Sequence, residues 1–151
     1  MVRKVILMAL MTVMLAVPPA FGSSMSGPTG LLNIPNADVN GLSMVGASVH
    51  VVKNEVWASL NYGIFDFLEI GAAVRSSDHK TRFSGFLKAQ IFQETQRDPG
   101  MAAGIHDKDA FVVLSKALAP LMRGHIGLST GSGVFGGFSY LLNPVVVSRP
   151  N

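Results

Sequence analysis

Gly127-Leu128-Ser129-Thr130-Gly131 has the G-x-S-x-G spacing of a nucleophile elbow, the turn that presents a serine hydroxyl for acyl transfer. That chemistry needs a strand-to-helix turn, then an acid and a histidine further along the chain to take the serine proton. After Ser129 there is no Asp, Glu or His. A β-turn of small residues accounts for the match, and an exported hydrolase is the weakest function class for this chain. Gly131-Ser132-Gly133-Val134-Phe135-Gly136 matches the G-x-G-x-x-G dinucleotide fingerprint, which must open a helix and be followed by an acidic residue about 20 positions on. Here it runs into GFSYLLNP, and its glycines reflect a chain with 16 of them. His106, Asp107 and Asp109 carry metal-competent side chains, but loop neighbours seldom converge on one ion and no second cluster supplies further ligands. A solvated loop explains them more simply. His50 and His125 fall inside strand patterns and read as polar-face residues. The sequence therefore offers no catalytic, cofactor-binding or metal-binding residues.

The side chains that remain of interest are charges on one face of a sheet. Glu69, Arg75 and Lys88 share the polar register of neighbouring strands and point the same way, toward a lumen or solvent. In a barrel they pair across the interior and close it or tune what passes. The simpler reading, and the favoured one, is that charges on a polar face are solvated. The strands that position them alternate closely. Val45, Ala47, Val49 and Val51 oppose Gly46, Ser48 and His50. Val56, Ala58, Leu60 and Tyr62 oppose Glu55, Ser59 and Asn61. Leu68, Ile70, Ala72 and Val74 oppose Glu69, Gly71 and Arg75. Period-2 alternation of this kind gives a sheet with one apolar and one polar side.

The rest of the chain extends the pattern. Lys53-Asn54 suits a tight hairpin, Gly63 to Asp66 a longer turn in which Asp66 bonds its own backbone, and Ser76 to Thr81 a polar loop. A fourth strand spans about Arg82 to Gln93, with Phe83, Leu87, Ala89 and Ile91 on one register and Ser84, Lys88 and Gln90 on the other. Phe86 and Phe92 fall on its polar side. Asp98-Pro99-Gly100 breaks the chain before a short strand at Met101 to Ile105, and His106 to Asp109 forms a polar loop. Further strands follow at Ala110 to Ala117, Arg123 to Thr130 and Val134 to Leu142. About eight strands at short, regular spacing predict an all-β antiparallel meander, sandwich or barrel.

The 151 residues suffice for one domain. Arg3 and Lys4, the apolar run Val5 to Val17 and the small-x-small site Ala20-Phe21-Gly22 read as a secretory signal peptide, residues 1–22. That run of about 13 is too short for the roughly 20 residues a spanning helix needs. Removing it lowers the formal charge from +3 to about +1, which leaves no case for a nucleic-acid partner. Residues 23–42, with two prolines and several glycines, read as an extended arm rather than a helix. Residues 43–144 form the sheet, and 145–151 are a tail or the start of a truncated strand.

What covers the apolar face decides the function. Charged residues make up 14% of the chain, against about a quarter in an ordinary soluble domain, and an exported protein with no cysteine has no disulfides to hold it. Strands of about eight to eleven residues fit a bilayer, with Tyr62, Phe65 and Phe67 around one turn and Phe83 and Phe92 near opposite strand ends as girdle residues. Small polar-face residues such as Gly46, Ser48, Ser59 and Gly71 suit a crowded interior. Trp57, Phe86 and Phe92 on the polar register argue the other way. A soluble exported barrel or sandwich holding an apolar ligand is the alternative that periodicity alone leaves open.

GPTGLLNIPNADV (Gly27 to Val39) followed by a glycine-punctuated strand resembles the opening of YjbH-type outer-membrane proteins of exopolysaccharide and capsule loci. The likeness continues through NYGIFDFLEIGAAVR (Asn61 to Arg75), FLKAQIF (Phe86 to Phe92), LSKAL (Leu114 to Leu118) and GVFGGFSYLLNP (Gly133 to Pro144). It covers most of the chain after the leader. It implies a non-enzymatic outer-membrane β-barrel, or the N-terminal part of a larger one, serving polysaccharide export or envelope organisation. The implied partners are outer-membrane lipid, polysaccharide and components of the export machinery, with no cofactor and no catalytic residue to carry over. Members of that family are generally much longer. This chain reaches Val145-Val146-Val147 and then SRPN without a terminal aromatic residue, which suggests a truncated reading frame or an N-terminal fragment.

Overall fold

The computed structural model describes residues 23–24, 27–31, 34–77 and 80–140; the leader read at 1–22 and the tail at 145–151 lie outside them. Eight strands follow one another: β1 (Val45–Val52), β2 (Glu55–Phe65), β3 (Leu68–Ser77), β4 (Thr81–Phe92), β5 (Gly100–His106), β6 (Asp109–Ala119), β7 (Met122–Ser129) and β8 (Gly133–Tyr140). Each pairs antiparallel with the next, so sequence order is spatial order, and the meander curls into a half-barrel. The all-β meander of about eight strands expected from the alternation is the fold. Short polar turns make this topology the simplest one open to the chain, because antiparallel neighbours need only a two-residue connection. Lys53-Asn54 and Asp107-Lys108 are such turns. Lys53 and Asp107 at their first positions take left-handed φ values of 47° and 55°.

Two expected connections are corrected. Gly63 to Asp66 is not a four-residue turn: β2 runs to Phe65, and the turn is Asp66-Phe67. Gly63 is a ladder residue whose N–H donates to the Met44 carbonyl and whose own carbonyl accepts from Ser43. A Cβ there would collide with the backbone carbonyls of Asn40 and Gly41, so close approach by the arm, not turn geometry, selects glycine. Asp66 accepts from the Leu42 N–H at 3.1 Å rather than from its own neighbourhood. The polar loop at His106 to Asp109 likewise shrinks to its two central residues, with His106 and Asp109 paired across the strands.

Three bulges interrupt the ladders, at Gly63/Phe65, Gln90/Phe92 and Ala117/Ala119. All lie at the end of the sheet that carries the Asp66-Phe67 turn. A bulge inserts one residue into one strand and so reverses which face the following side chain takes. Phe92 thereby leaves the polar register on which strict alternation placed it. It pairs with Met101 on the apolar face and is 61% exposed. Phe65 is turned outward in the same way, pairs with Leu68, and stacks on Phe67 with ring centroids 5.6 Å apart. Phe86 stays on the polar face and is buried.

The burial pattern is inverted relative to a water-soluble sheet. The convex side carries exposed Val49, Leu60, Ile70, Leu87, Ile126 and Phe138. The fully buried side chains are mostly polar ones on the concave side, with Lys88 and Glu69 the largest. The small hydrophobic cluster of Ala37, Ala102, Phe111 and Val113 also lies there.

Candidate functional site

The concave face is shaped first by glycine. On four successive hairpins a glycine of the odd-numbered strand faces a larger residue of the even-numbered one: Gly46 and Asn61, Gly71 and Phe86, Gly104 and Phe111, Gly127 and Phe135. A Cβ at Gly71 or Gly104 would fall 2.6 Å from the Phe86 or Phe111 ring, and one at Gly127 would meet Phe135 closer still. Each phenyl ring therefore covers the bare backbone of its glycine neighbour, a cross-strand packing that also tightens curvature. Ring atoms stand over the glycines, and the concavity holds more than side chains.

The arm fills it. Two tight returns fold its backbone, with Gly27 N–H donating to Ser24 carbonyl and Leu31 N–H to Ile34 carbonyl, both 2.8–2.9 Å. Thr29 sits at its centre. Its N–H donates to Glu69 Oε1 at 2.8 Å, its hydroxyl to Glu69 Oε2, and its carbonyl accepts from Lys88 Nζ at 2.7 Å. Asn40 N–H donates to Glu69 Oε2 at 2.9 Å. Glu69 and Lys88 are cross-strand partners with Nζ 3.4 Å from Oε1, and both side chains are 0% exposed. The simpler expectation, that these charges are solvated, fails for both, and they pair between adjacent strands rather than across an interior. What they do besides is hold the arm, which supplies the hydrogen bonds that buried charges require.

A second set of contacts lies further round the sheet. Ala37 N–H donates to Ser115 Oγ and its carbonyl accepts from Gln90 Nε2, each at 2.8 Å. Ser115 contacts His125 Nδ1 at 2.8 Å, and His125 Nε2 contacts Ser139 Oγ at 3.1 Å, so β6, β7 and β8 share one chain of polar contacts. Arg123 holds the Asp38 carboxylate with both terminal nitrogens and also donates from Nε to Glu94 Oε2 at 2.8 Å. Asn61 Nδ2 donates to Ser23 Oγ and to the Gly27 carbonyl.

Arg75, the third expected lumen charge, is on the concave side but at its rim. It pairs with Glu55 and lies over the Trp57 ring, 4.7 Å from its centroid, while the Trp57 Nε1–H donates to the same carboxylate. The indole on the polar register is thus accounted for by a charge beside it. Thr29, Asn40, Ser115, Arg123 and Asp38 escaped the sequence reading. The register of Ser115 and His125 was a usable signal, since both fall on the polar side; no periodic signal marks Thr29 or Asp38, which belong to an aperiodic arm.

The arrangement binds the backbone of the arm. Ser129 ends β7 and its Oγ accepts the Gly131 N–H at 3.2 Å within a strand-to-strand turn. The Gly131–Gly136 stretch leads into β8, not a helix. No group of three or more His, Asp or Glu able to hold a metal occurs among the described residues. A cavity of about 360 Å³ remains where Pro28 and Pro35 of the arm stand off Phe111, Phe135 and His106.

The class these features define is an all-β antiparallel meander, curled, apolar outside and polar inside, with its own N-terminal arm in the concavity. No known protein family, curated protein or solved structure matches the chain.

Proposed function

We propose that this is a non-enzymatic outer-membrane β-barrel protein, or the N-terminal part of one, that serves exopolysaccharide or capsule export or envelope organisation, as its likeness to YjbH-type proteins suggests. The observation that carries the membrane part is the inverted burial: large apolar side chains cover the convex face, with Phe83 82% and Phe138 70% exposed, while Glu69 and Lys88 are fully enclosed. A monomeric soluble protein rarely exposes so continuous an apolar surface, whereas lipid covers it without cost. Tyr62, Phe65, Phe67, Phe92 and Tyr140 all lie toward one end of that face, where an aromatic girdle belongs. A groove of about 670 Å³ is lined by Leu118, Gly124, Ile126, Gly136 and Phe138 and also by Arg97 and Lys116. The alternative, a soluble exported barrel around an apolar ligand, draws on the concave Phe86, Phe111 and Val113, but Glu69, Lys88, Asn61, Ser115 and His125 are buried beside them and the convex apolar face is left without cover.

Expression of the full chain with its own leader, followed by membrane fractionation, tests the reading. Recovery in the outer-membrane fraction is expected, and recovery as soluble periplasmic protein overturns it. Heat-modifiable gel migration, if absent, counts against a closed barrel.

A further inference from the structure

His50, Trp57, Arg75 and Arg82 stand directly opposite one another in turn along the ladders of β1 to β4, so the concave face carries them as one lateral row. The row spans about 14 Å, three strand spacings of about 4.8 Å each. It lies toward the Lys53-Asn54 end of the sheet, and among the described residues none of the four side chains bonds to the arm.

The charges of this row break a rule that the rest of the concave face keeps. Lys88 meets Glu69, Arg123 meets Asp38 and Glu94, and Arg75 meets Glu55. Arg82 is exposed and meets no carboxylate among the described residues. It also faces Arg75 directly across the β3/β4 ladder, and like charges so placed repel. A neutral side chain at 82 would avoid that cost. By sequence, residues 53–57 and 75–82 hold Lys53, Arg75, Lys80 and Arg82 against Glu55 and Asp78, so the excess is positive.

We propose that this row binds an acidic saccharide chain, a polymer whose sugar units carry carboxylates, with Arg82 and Arg75 as the carboxylate-binding residues. The proposal names a substrate class for the export reading above and rests on it. A guanidinium presents a planar fork of donors that matches a carboxylate with two parallel bonds. Arg82 has its whole fork free for this. Arg75 uses Nε and one terminal nitrogen on Glu55 and keeps Nη1. Glu55 and the Trp57 ring, 4.7 Å from the guanidinium carbon, hold Arg75 in place before any ligand arrives, which lowers the cost of binding. A single small anion meets one such fork, whereas a chain with carboxylates on successive units meets both. Lipid phosphate is the competing anion, and the facing of the strand argues against it. Phe83, next to Arg82 in the chain, points to the convex side and is 82% exposed, so on the membrane reading lipid lies opposite the row.

Trp57 is the only tryptophan in the chain, so intrinsic fluorescence reports from the row itself. Full-length protein purified in detergent would be titrated with oligogalacturonate, with malto-oligosaccharide of equal length as the neutral control. A saturable change in Trp57 emission is expected with the acidic oligomer alone, weakening as salt rises. Arg82→Gln is expected to weaken that binding about tenfold, the loss of one charged hydrogen-bonding partner. Without ligand its urea midpoint should equal or exceed that of wild type, because the repulsion from Arg75 is gone. Lys108→Gln removes one charge from a turn outside the row and should leave the affinity unchanged. An equal response to the neutral oligomer, an equal loss in Lys108→Gln, or a response to phosphatidylglycerol micelles but not to oligogalacturonate would each overturn the proposal. So would an Arg82→Gln variant that binds as wild type does, or one with a lowered urea midpoint, which makes Arg82 a structural residue. Outer-membrane protein that gives no response refutes the row and leaves the membrane reading standing, since fractionation decides that separately.

Discussion

The two faces of this sheet are built from the same strands and follow opposite rules. The convex face is a continuous apolar surface with few specific contacts: Leu60, Ile70 and Leu87 touch their neighbours and face outward. The concave face is specific at nearly every position. Glycines there are placed for phenyl rings, and Glu69, Lys88, Ser115 and Arg123 each meet a defined atom of the arm. The difference teaches where the chain's information is spent. An apolar outer surface needs only hydrophobicity of about the right extent, whereas a polar interior must place partners for its buried charges, here Glu69 and Lys88, even though the Asn40 side chain and Asn61 Oδ1 find none.

Substitutions sharpen that contrast. The largest effect is expected inside: Lys88→Ala leaves Glu69 as an unpaired buried charge and removes the donor to Thr29 carbonyl, at a cost of about 3–5 kcal/mol. Urea unfolding in detergent measures it, and protease sensitivity of residues 23–40 should rise in parallel. An unfolding midpoint equal to wild type would mean that the concave face is no more specific than the convex one. Outside, Leu60→Arg is expected to cost about 2–4 kcal/mol if the residue sits near the bilayer midplane, measured by folding into lipid vesicles. In detergent-free buffer the same variant should gain solubility, and failure to disturb vesicle insertion breaks the comparison from the lipid side.

The glycines give a matched pair. A Cβ at Gly71 meets the Leu60 carbonyl and the Phe86 ring, so Gly71→Ala is expected to lose about 1–3 kcal/mol. At Gly85, on the convex face, the nearest atom to an added Cβ is 3.9 Å away, and Gly85→Ala should stay within about 0.5 kcal/mol of wild type. Comparable losses for both would show that the concave packing is looser than these contacts require. The smallest effect belongs to the rim. Glu55→Gln weakens the Arg75 pair where solvent screens it, and the urea midpoint should not move measurably.

Much of the fold was legible because alternation is local. Seven of the eight strands follow from apolar residues spaced by two and from turn pairs such as Lys53-Asn54; β5, shorter and richer in Ala and Gly, was the weakest of them yet fell at Gly100–His106, close to its expected place. That Glu69 and Lys88 share one face was legible for the same reason, as residues on one register of adjacent strands. Phe92 was misplaced because a bulge is decided by its partner strand, here by the pairing to Met101, and leaves no mark in the period of its own strand. Gly63 was assigned to a turn because a glycine demanded by a passing backbone looks, in sequence, like a glycine demanded by a turn.

By itself the sequence determined that the protein is a sheet with one apolar and one polar side, since each strand's alternation is set by its own residues and the pleat. Only the tertiary structure decided which side is concave and what fills it. The contacts responsible join Thr29 to Glu69 across 40 positions and Asp38 to Arg123 across 85. No local pattern encodes them, because the arm acquires its partners only when the curled sheet presents buried charges with bonds still to satisfy.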